Sequence, residues 1–348
     1  MKICFIGAGA VGSYLAAHLA RQQGIEVSVV ARGENLKAIA ENGIKVVSFD
    51  GEFSAPVRAV SDTSTLGVQD YVFITLKQDQ VLAVLPSLKS LLGPTTAVLS
   101  PTTGFPYWYF YGHAGPLAGR TLPRSDPGGQ QWKEIGPQRA LGCVYWIGAQ
   151  RIAPGVVRRH GAVASFPIGE PDGTRSARLL RLHEVMRAGG IDAPISTNIR
   201  TDLWQKMISS MVWNSLAMLT TATLGQIARA PDVVAVAHMV TGEAEQAASA
   251  LGINFATPKE TRIATTLAML AAHRMSMLQD FDNGRRTEIQ VFIDTMGDVH
   301  DVVDAPTPLL DSLLALVALR LSVAGLHDLP EVSQSTPAPA TWWASQSS

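Results

Sequence analysis

Three groups of residues in this 348-residue chain have types and spacings that could do chemistry. The first is the run Gly7-Ala8-Gly9-Ala10-Val11-Gly12. A Gly-x-Gly-x-x-Gly run that leaves a strand and opens a helix can cradle phosphate. Gly7 permits the tight turn, Gly9 lets the backbone approach a pyrophosphate, and Gly12 lets helix and strand close together. Backbone N–H groups at the start of the helix, from Ala8, Ala10 and Val11 as well as the glycines, then face the anion. A purely structural strand-to-helix turn is the competing reading, but the context favours a dinucleotide. The second group surrounds the same loop. The next strand ends Val29-Val30-Ala31-Arg32 with no carboxylate for a ribose 2′-hydroxyl. Arg32 instead offers a guanidinium suited to the 2′-phosphate of NADP. Lys77, Gln80 and Thr102-Thr103-Gly104 follow two further strands. In an open parallel sheet those strand ends line one crevice. The third group is Lys206, Ser210 and Asn214, spaced by four and so on one face of a helix. Spacing alone reads this face as a solvated lysine on an amphipathic helix. The eight histidines show no HExxH spacing and there are only two cysteines, which predicts no metal site.

The elements that must position these residues follow from periodicity. Strands are predicted over 3–6, 27–30, 71–76 and 96–99, and helices over 13–21, 34–42 and 80–92. Asp50-Gly51 is a hairpin signal between strands over 44–49 and 53–60. Strands return over 141–147 and 155–160, and 165–169 completes the sheet, with a helix over 175–188. Residues 105–138 break the pattern. They are rich in Pro, Gly and aromatics, with Tyr107, Trp108, Tyr109, Phe110 and Trp132 among them, and 106–138 reads as a lid, binding loop or insertion. Beyond Thr197 long helices dominate, over 204–219, 233–251, 260–279, 287–302 and 308–323. Met207, Met211 and Met218, at helical spacing, read as core filling. The fold class is therefore α/β, an N-terminal Rossmann-type dinucleotide-binding domain over 1–195 followed by an all-helical domain over 196–326. The Ser-, Pro- and Thr-rich residues 327–348, with Trp342 and Trp343, read as a mobile tail.

Composition narrows the class of function. Lys plus Arg number 28 against 29 Asp plus Glu, a net charge of −1, which removes the attraction expected of a nucleic-acid or anionic-membrane binder. Charged residues make up 16% and hydrophobic ones 47%, the balance of a compactly folded chain. The apolar stretch over 1–20 has one lysine, three glycines and no clear cleavage site. That over 309–326 is broken by Asp311, Ser312 and Arg320, and reads as a buried helix. A cytoplasmic protein acting on a small molecule is expected.

The residues in order resemble the ketopantoate reductase family (2-dehydropantoate 2-reductases). The likeness rests on Gly7 to Gly12, Ala31-Arg32, Thr75-Leu76-Lys77 with Gln80, Trp204-Gln205-Lys206 and Asn214. It continues in Ser276-Met277-Leu278-Gln279-Asp280 and Thr287-Glu288-Ile289. The resemblance implies NADPH-dependent reduction of ketopantoate to pantoate, with the ketoacid between the two domains. It implies that Lys206 is the general acid, that Glu288 assists it, and that Asn214 and Ser276 bind substrate, with Ser210 and Thr103 beside them. A homodimer through the helical domain comes from the likeness alone. This chain departs from the family where it has Thr103 and Ser210, since both positions commonly hold asparagine. The shorter side chains lose amide donors and keep open a family reductase for another carbonyl compound; a noncatalytic NADP(H) sensor is a separate alternative. Lys206 and Glu288 together argue against the sensor.

Overall fold

The computed structural model describes residues 1–269 and 273–329. The first half runs β1 (Lys2–Ile6), α1 (Ala10–Leu19), β2 (Glu26–Val30), α2 (Gly33–Asn42), β3 (Ile44–Ser48), β4 (Gly51–Ala55), β5 (Arg58–Val60), β6 (Tyr71–Ile74), α3 (Val81–Leu88) and β7 (Ala97–Leu99). Strands β1, β6 and β7 are apolar runs buried on both faces, the signature of a parallel sheet covered by helices. All pairs in the five-stranded sheet are parallel, in the order β5-β2-β1-β6-β7. The chain leaves β1 toward β2 on one side and later returns to β6 on the other. The C-terminal end of β1 is thus the switch point where an open sheet leaves a crevice.

Not every strand joins that sheet. The predicted strand over 53–60 breaks at Pro56, which has no N–H for a ladder. Before the break β4 pairs antiparallel with β3, and after it β5 pairs parallel with β2. Downstream come α4 (Gln130–Glu134), β8 (Gly142–Cys143), β9 (Trp146–Ala153), β10 (Val156–Ser165), β11 (Ile168–Gly169) and α5 (Ala177–Ala188). These later strands do not complete the first sheet. β10 reaches back to pair with β3, making a second sheet β4-β3-β10-β9, while β8 and β11 pair separately.

The helical half holds α6 (Ile199–Thr220), α7 (Leu224–Ile227), α8 (Pro231–Ala250), α9 (Lys259–Met269), α10 (Ser276–Asp282), α11 (Ile289–His300) and α12 (Pro308–Val323). α6 is buried or half-buried nearly all round, with Trp204, Met207, Met211 and Met218 in the core, and α8, α10 and α12 pack against it. The single helix predicted over 260–279 is two, because Met277 N–H at the start of α10 is held by Asn214 Oδ1 of α6 at 3.1 Å. Helix α12 buries Leu310, Leu314, Val317 and Leu321 but exposes Leu316, Leu319 and Val323, so it is buried on one face only. Among the described residues no helix is long and apolar enough to cross a membrane. Trp342, Trp343 and the rest of 330–348 lie outside the described residues.

The aromatic side chains of residues 105–110 belong to the core. Phe105, Tyr107, Trp108, Tyr109 and Phe110 are at most 1% exposed. Phe105, Tyr109 and Phe110 enter the core around α6, whereas Tyr107 and Trp108 enter the layer behind β6 and β7. Each such ring contributes about 1.5–3 kcal/mol when removed from water, which is reason enough for the segment to bury them. Polar bonds complete the wedge. Trp204 Nε1 donates to Tyr109 Oη at 2.7 Å, and Arg200 donates to the carbonyls of Tyr109, Tyr111 and Pro171.

Candidate active site

The glycine loop has three distinct environments. Gly7 sits at φ +106°, a left-handed conformation that favours glycine, and an added Cβ would stand 2.7 Å from Leu76 Cδ2. At Gly12 a Cβ would lie 2.3 Å from both Gly7 O and Thr75 Oγ1, so α1 and the loop touch there. Gly9 is different. It caps α1 with extended backbone, no side chain caps the helix, and a Cβ would meet nothing nearer than Thr75 O at 3.9 Å. The N–H groups at the start of α1, around Ala10 and Val11, therefore open on free space. Thr75 Oγ1 donates to Gly7 O at 2.7 Å. Asn35 Nδ2 donates to Ala8 O at 2.9 Å while its Oδ1 accepts Gly155 N–H at 2.8 Å. Close contact at two glycines and open space at the third fit a dinucleotide pyrophosphate.

Arg32 is exposed, immediately before α2 at the end of β2. Gln80 is exposed as well. Its neighbour Gln78 is the buried amide, with Nε2 donating to Phe105 O at 2.8 Å and Oε1 unpaired. Lys77 crosses to the helical half, where Nζ donates to Asp280 Oδ2 at 2.7 Å and Arg286 O at 3.0 Å. The loop after β7 also crosses. Gly104 packs against Val291 and Thr295 of α11, and Phe105 N–H donates to Thr295 Oγ1 at 3.2 Å. This brings Thr103 to Glu288, the residue that caps α11, close enough for the Thr103 hydroxyl to lower the pKa of its carboxylate.

Lys206 lies within electrostatic reach of Glu288 at this junction. Burial lowers the Lys206 pKa below the ordinary lysine value, and the Glu288 charge partly opposes that fall. Burial raises the Glu288 pKa, the Lys77 charge and the Thr103 hydroxyl lower it, and Asp280 and Asp79 raise it again. The Lys206 ammonium lies 4.7 Å from the centroid of the Trp146 ring, a cation–π contact. His273 is close by, its pKa lowered by burial and by the positive charges of Lys206 and His160. Asn214 is largely committed. It donates to Ser210 O at 2.8 Å and accepts Met277 N–H, so it ties α6 to α10. The Ser210 hydroxyl is half-buried and that of Ser276 is exposed at the first turn of α10.

Trp146, Asn35, Gln78 and Asp280 were not marked as site residues by spacing. Asp280 lies in the run Ser276–Asp280, which carries the family resemblance without assigning it a role. Trp146 falls near the end of the strand predicted over 141–147, with nothing in the pattern to aim it at a lysine 60 residues away. No group of three or more potential metal ligands occurs among the described residues.

A Rossmann-type sheet with a glycine-rich strand-to-helix turn, joined to a helical domain that carries a buried lysine and carboxylate, is the arrangement of an NAD(P)-dependent oxidoreductase. Residues 3–173 match the family described as "Ketopantoate reductase PanE/ApbA", and residues 198–320 match its C-terminal part. The 2-dehydropantoate 2-reductase of Mesorhizobium japonicum is 40% identical over 323 residues, 93% of this chain and 98% of that protein. A crystal structure from Ralstonia solanacearum MolK2 superposes with a TM-score of 0.84 at 34% identity, covering 93% of this chain and 99% of the other. The ternary structure of D-mandelate dehydrogenase with NADH and anilino(oxo)acetate shares the fold, with a TM-score of 0.79 at 20% identity over 94% of this chain and 100% of that one. The chain belongs to the ketopantoate reductase family and is an oxidoreductase of the 2-dehydropantoate 2-reductase kind.

Proposed function

We propose that the protein reduces the ketone of a 2-oxo acid with NADPH, and that its substrate is 2-dehydropantoate, converted to pantoate for pantothenate and coenzyme A synthesis. The observation that carries this reading is the buried Lys206 ammonium over the Trp146 ring, within electrostatic reach of Glu288 on the helical domain. The nicotinamide, when bound, supplies a hydride to the carbonyl carbon. Lys206 hydrogen-bonds the carbonyl oxygen and passes it a proton as negative charge develops there, a transfer made easier by its lowered pKa. Glu288 keeps Lys206 protonated before the transfer, and the Thr103 hydroxyl helps to keep Glu288 ionised. The hydroxyls of Ser210 and Ser276 hold the substrate's carboxylate and hydroxyl. Asn214, with most of its amide already bonded, acts chiefly by holding α10 and therefore Ser276 in place.

Gly7 to Gly12 hold the pyrophosphate and Arg32 the 2′-phosphate. The D-mandelate dehydrogenase neighbour was solved with NADH. NADP is therefore assigned here from Arg32 itself and from the absence of a carboxylate in Val30-Ala31-Arg32. Lys77 would reach the cofactor only by leaving Asp280. Both cysteines are buried free thiols with pKa values pushed up by burial, which supports a reducing, cytoplasmic setting. The test is NADPH oxidation, followed by absorbance, with 2-dehydropantoate against a panel of 2-oxo acids. Selective turnover of 2-dehydropantoate supports the reading. Tight NADPH binding without that turnover rejects the substrate.

A further inference from the structure

The Lys206 ammonium rests on a group that cannot take its proton. Among the described residues no hydrogen bond or ion pair holds Nζ, and the contact it makes is with the Trp146 ring, 4.7 Å from the centroid. Trp146 stands at the start of β9 in the N-terminal half, whereas Lys206 belongs to α6 of the helical half. The ring is the better anchored of the two. Trp146 pairs with Ser165 of β10, and an irregularity in β10 between His160 and Ala164 sets that pair apart from the ladder that resumes at Gly148. The indole also packs against the apolar cluster that includes Leu203, one turn before Lys206 on α6. The lysine, by contrast, ends a flexible four-carbon stem.

A carboxylate in the place of the ring would occupy one of the three ammonium donors and compete for the proton. A π face attracts the cation through its quadrupole and offers the proton no site. We infer that Trp146 is the positioning residue of Lys206: its ring fixes the ammonium at the junction of the two halves and leaves N–H donors for the carbonyl oxygen of the substrate. The inference rests on Lys206 as the proton donor of the proposed reaction. Glu288 at the head of α11 and His273 before α10 lie within electrostatic reach of Lys206, and His160 of β10 acts on His273. All three stay when the ring is exchanged, so a substitution at Trp146 isolates what the ring does. An aliphatic side chain keeps the wall apolar and removes the attraction for the charged form, so Lys206 should then lose its proton at lower pH.

The test compares Trp146→Leu, Trp146→Met and Trp146→Phe with the wild type in the full chain, and NADPH binding identifies folded variants. Leu and Met each keep an apolar wall without a π face, so one misfolded variant does not remove the test, and Phe keeps a face. The titration of Lys206 is read without turnover, from the pH dependence of its acylation by acetic anhydride, with the modified peptide quantified by mass spectrometry. Trp146→Leu and Trp146→Met are expected to move the midpoint down by about 0.5–1.5 pH units, the strength of a cation–π contact expressed as a pKa shift. They should also lower kcat for 2-dehydropantoate by about tenfold or more, the scale of a misplaced catalytic group, with KM for NADPH little changed. Trp146→Phe should recover most of both effects. A midpoint that stays in place or rises in the Leu and Met variants overturns the inference, as does a Phe variant that behaves like them. A shifted midpoint with undiminished kcat overturns it too. A midpoint that falls as expected, in a protein that turns over no 2-oxo acid, overturns the proposed function and leaves the hold of Trp146 on Lys206 standing.

Discussion

Gly9→Ala separates the cofactor cradle from the fold that carries it. The residue already has φ −76° and ψ −166°, which alanine adopts without strain, and its added Cβ would touch only Thr75 O at 3.9 Å. Removing a glycine gains about 0.4–1 kcal/mol through the unfolded chain, and alanine at the N-cap of α1 gives back a similar amount. The apoprotein should therefore unfold at about the same denaturant concentration. The same methyl enters the space that the proposed function assigns to the pyrophosphate, and on that reading NADPH affinity is expected to fall at least 100-fold. Denaturant unfolding with and without NADPH reads both effects. At a cofactor concentration of about 100 times its wild-type Kd, the wild type gains about 2.7 kcal/mol. A variant binding 100-fold more weakly gains only about 0.4 kcal/mol. Gly12→Ala is the control with opposite behaviour. Its Cβ would lie 2.3 Å from Gly7 O and Thr75 Oγ1, a clash in a buried contact, and it should lower apoprotein stability by about 1–3 kcal/mol or more. If Gly9→Ala kept the full NADPH-dependent gain, the space in front of α1 would not be where the phosphates lie.

Lys206→Ala should leave NADPH affinity nearly intact and lower turnover by roughly 100-fold or more, the scale of a lost general acid, as steady-state kinetics would show. Unchanged turnover would remove Lys206 from the chemistry. Reduction needs the protonated ammonium, so activity falls as pH rises through a Lys206 pKa that burial holds below the ordinary lysine range. Glu288→Gln removes the charge that opposes this lowering, and the alkaline limb of the kcat/KM profile should move to lower pH. A limb that stays in place, or moves up, contradicts the pairing of Lys206 with Glu288. Arg32→Ala should weaken NADPH far more than NADH in fluorescence titrations, whereas equal losses would reject the 2′-phosphate assignment.

Legibility followed distance along the chain. The strand, glycine turn and helix that build the cradle are contiguous, so their period and turn chemistry can be read within twenty residues. Arg32 was legible for the same reason. The partner of β3 was not, because β10 lies more than a hundred residues on and either sheet would bury the same apolar residues. Pro56 did carry a signal, since a missing N–H argues against one continuous strand through it. The aromatics of 105–110 were misleading in the opposite sense. Surrounding Pro and Gly marked an irregular segment, but irregular backbone can be buried when bonds such as Gln78 Nε2 to Phe105 O satisfy it. At the candidate site, the face shared by Lys206 and Asn214 was visible from spacing. That Asn214 faces the start of α10, and that Trp146 underlies Lys206, depends on packing between elements no local period connects.

The aromatic wedge at 105–110 bears on how such a protein can change over generations. Phe105, Tyr109 and Phe110 belong by chain to the cofactor-binding half and by packing to the core around α6. A recombination event that joined this N-terminal half to a foreign helical half would present those rings to a surface not shaped for them. It would also strand the Arg200 bonds to Tyr109 and Tyr111. Two halves sewn together in this way are inherited as one unit. New specificity is then reached by substitutions around Lys206, not by exchange of modules.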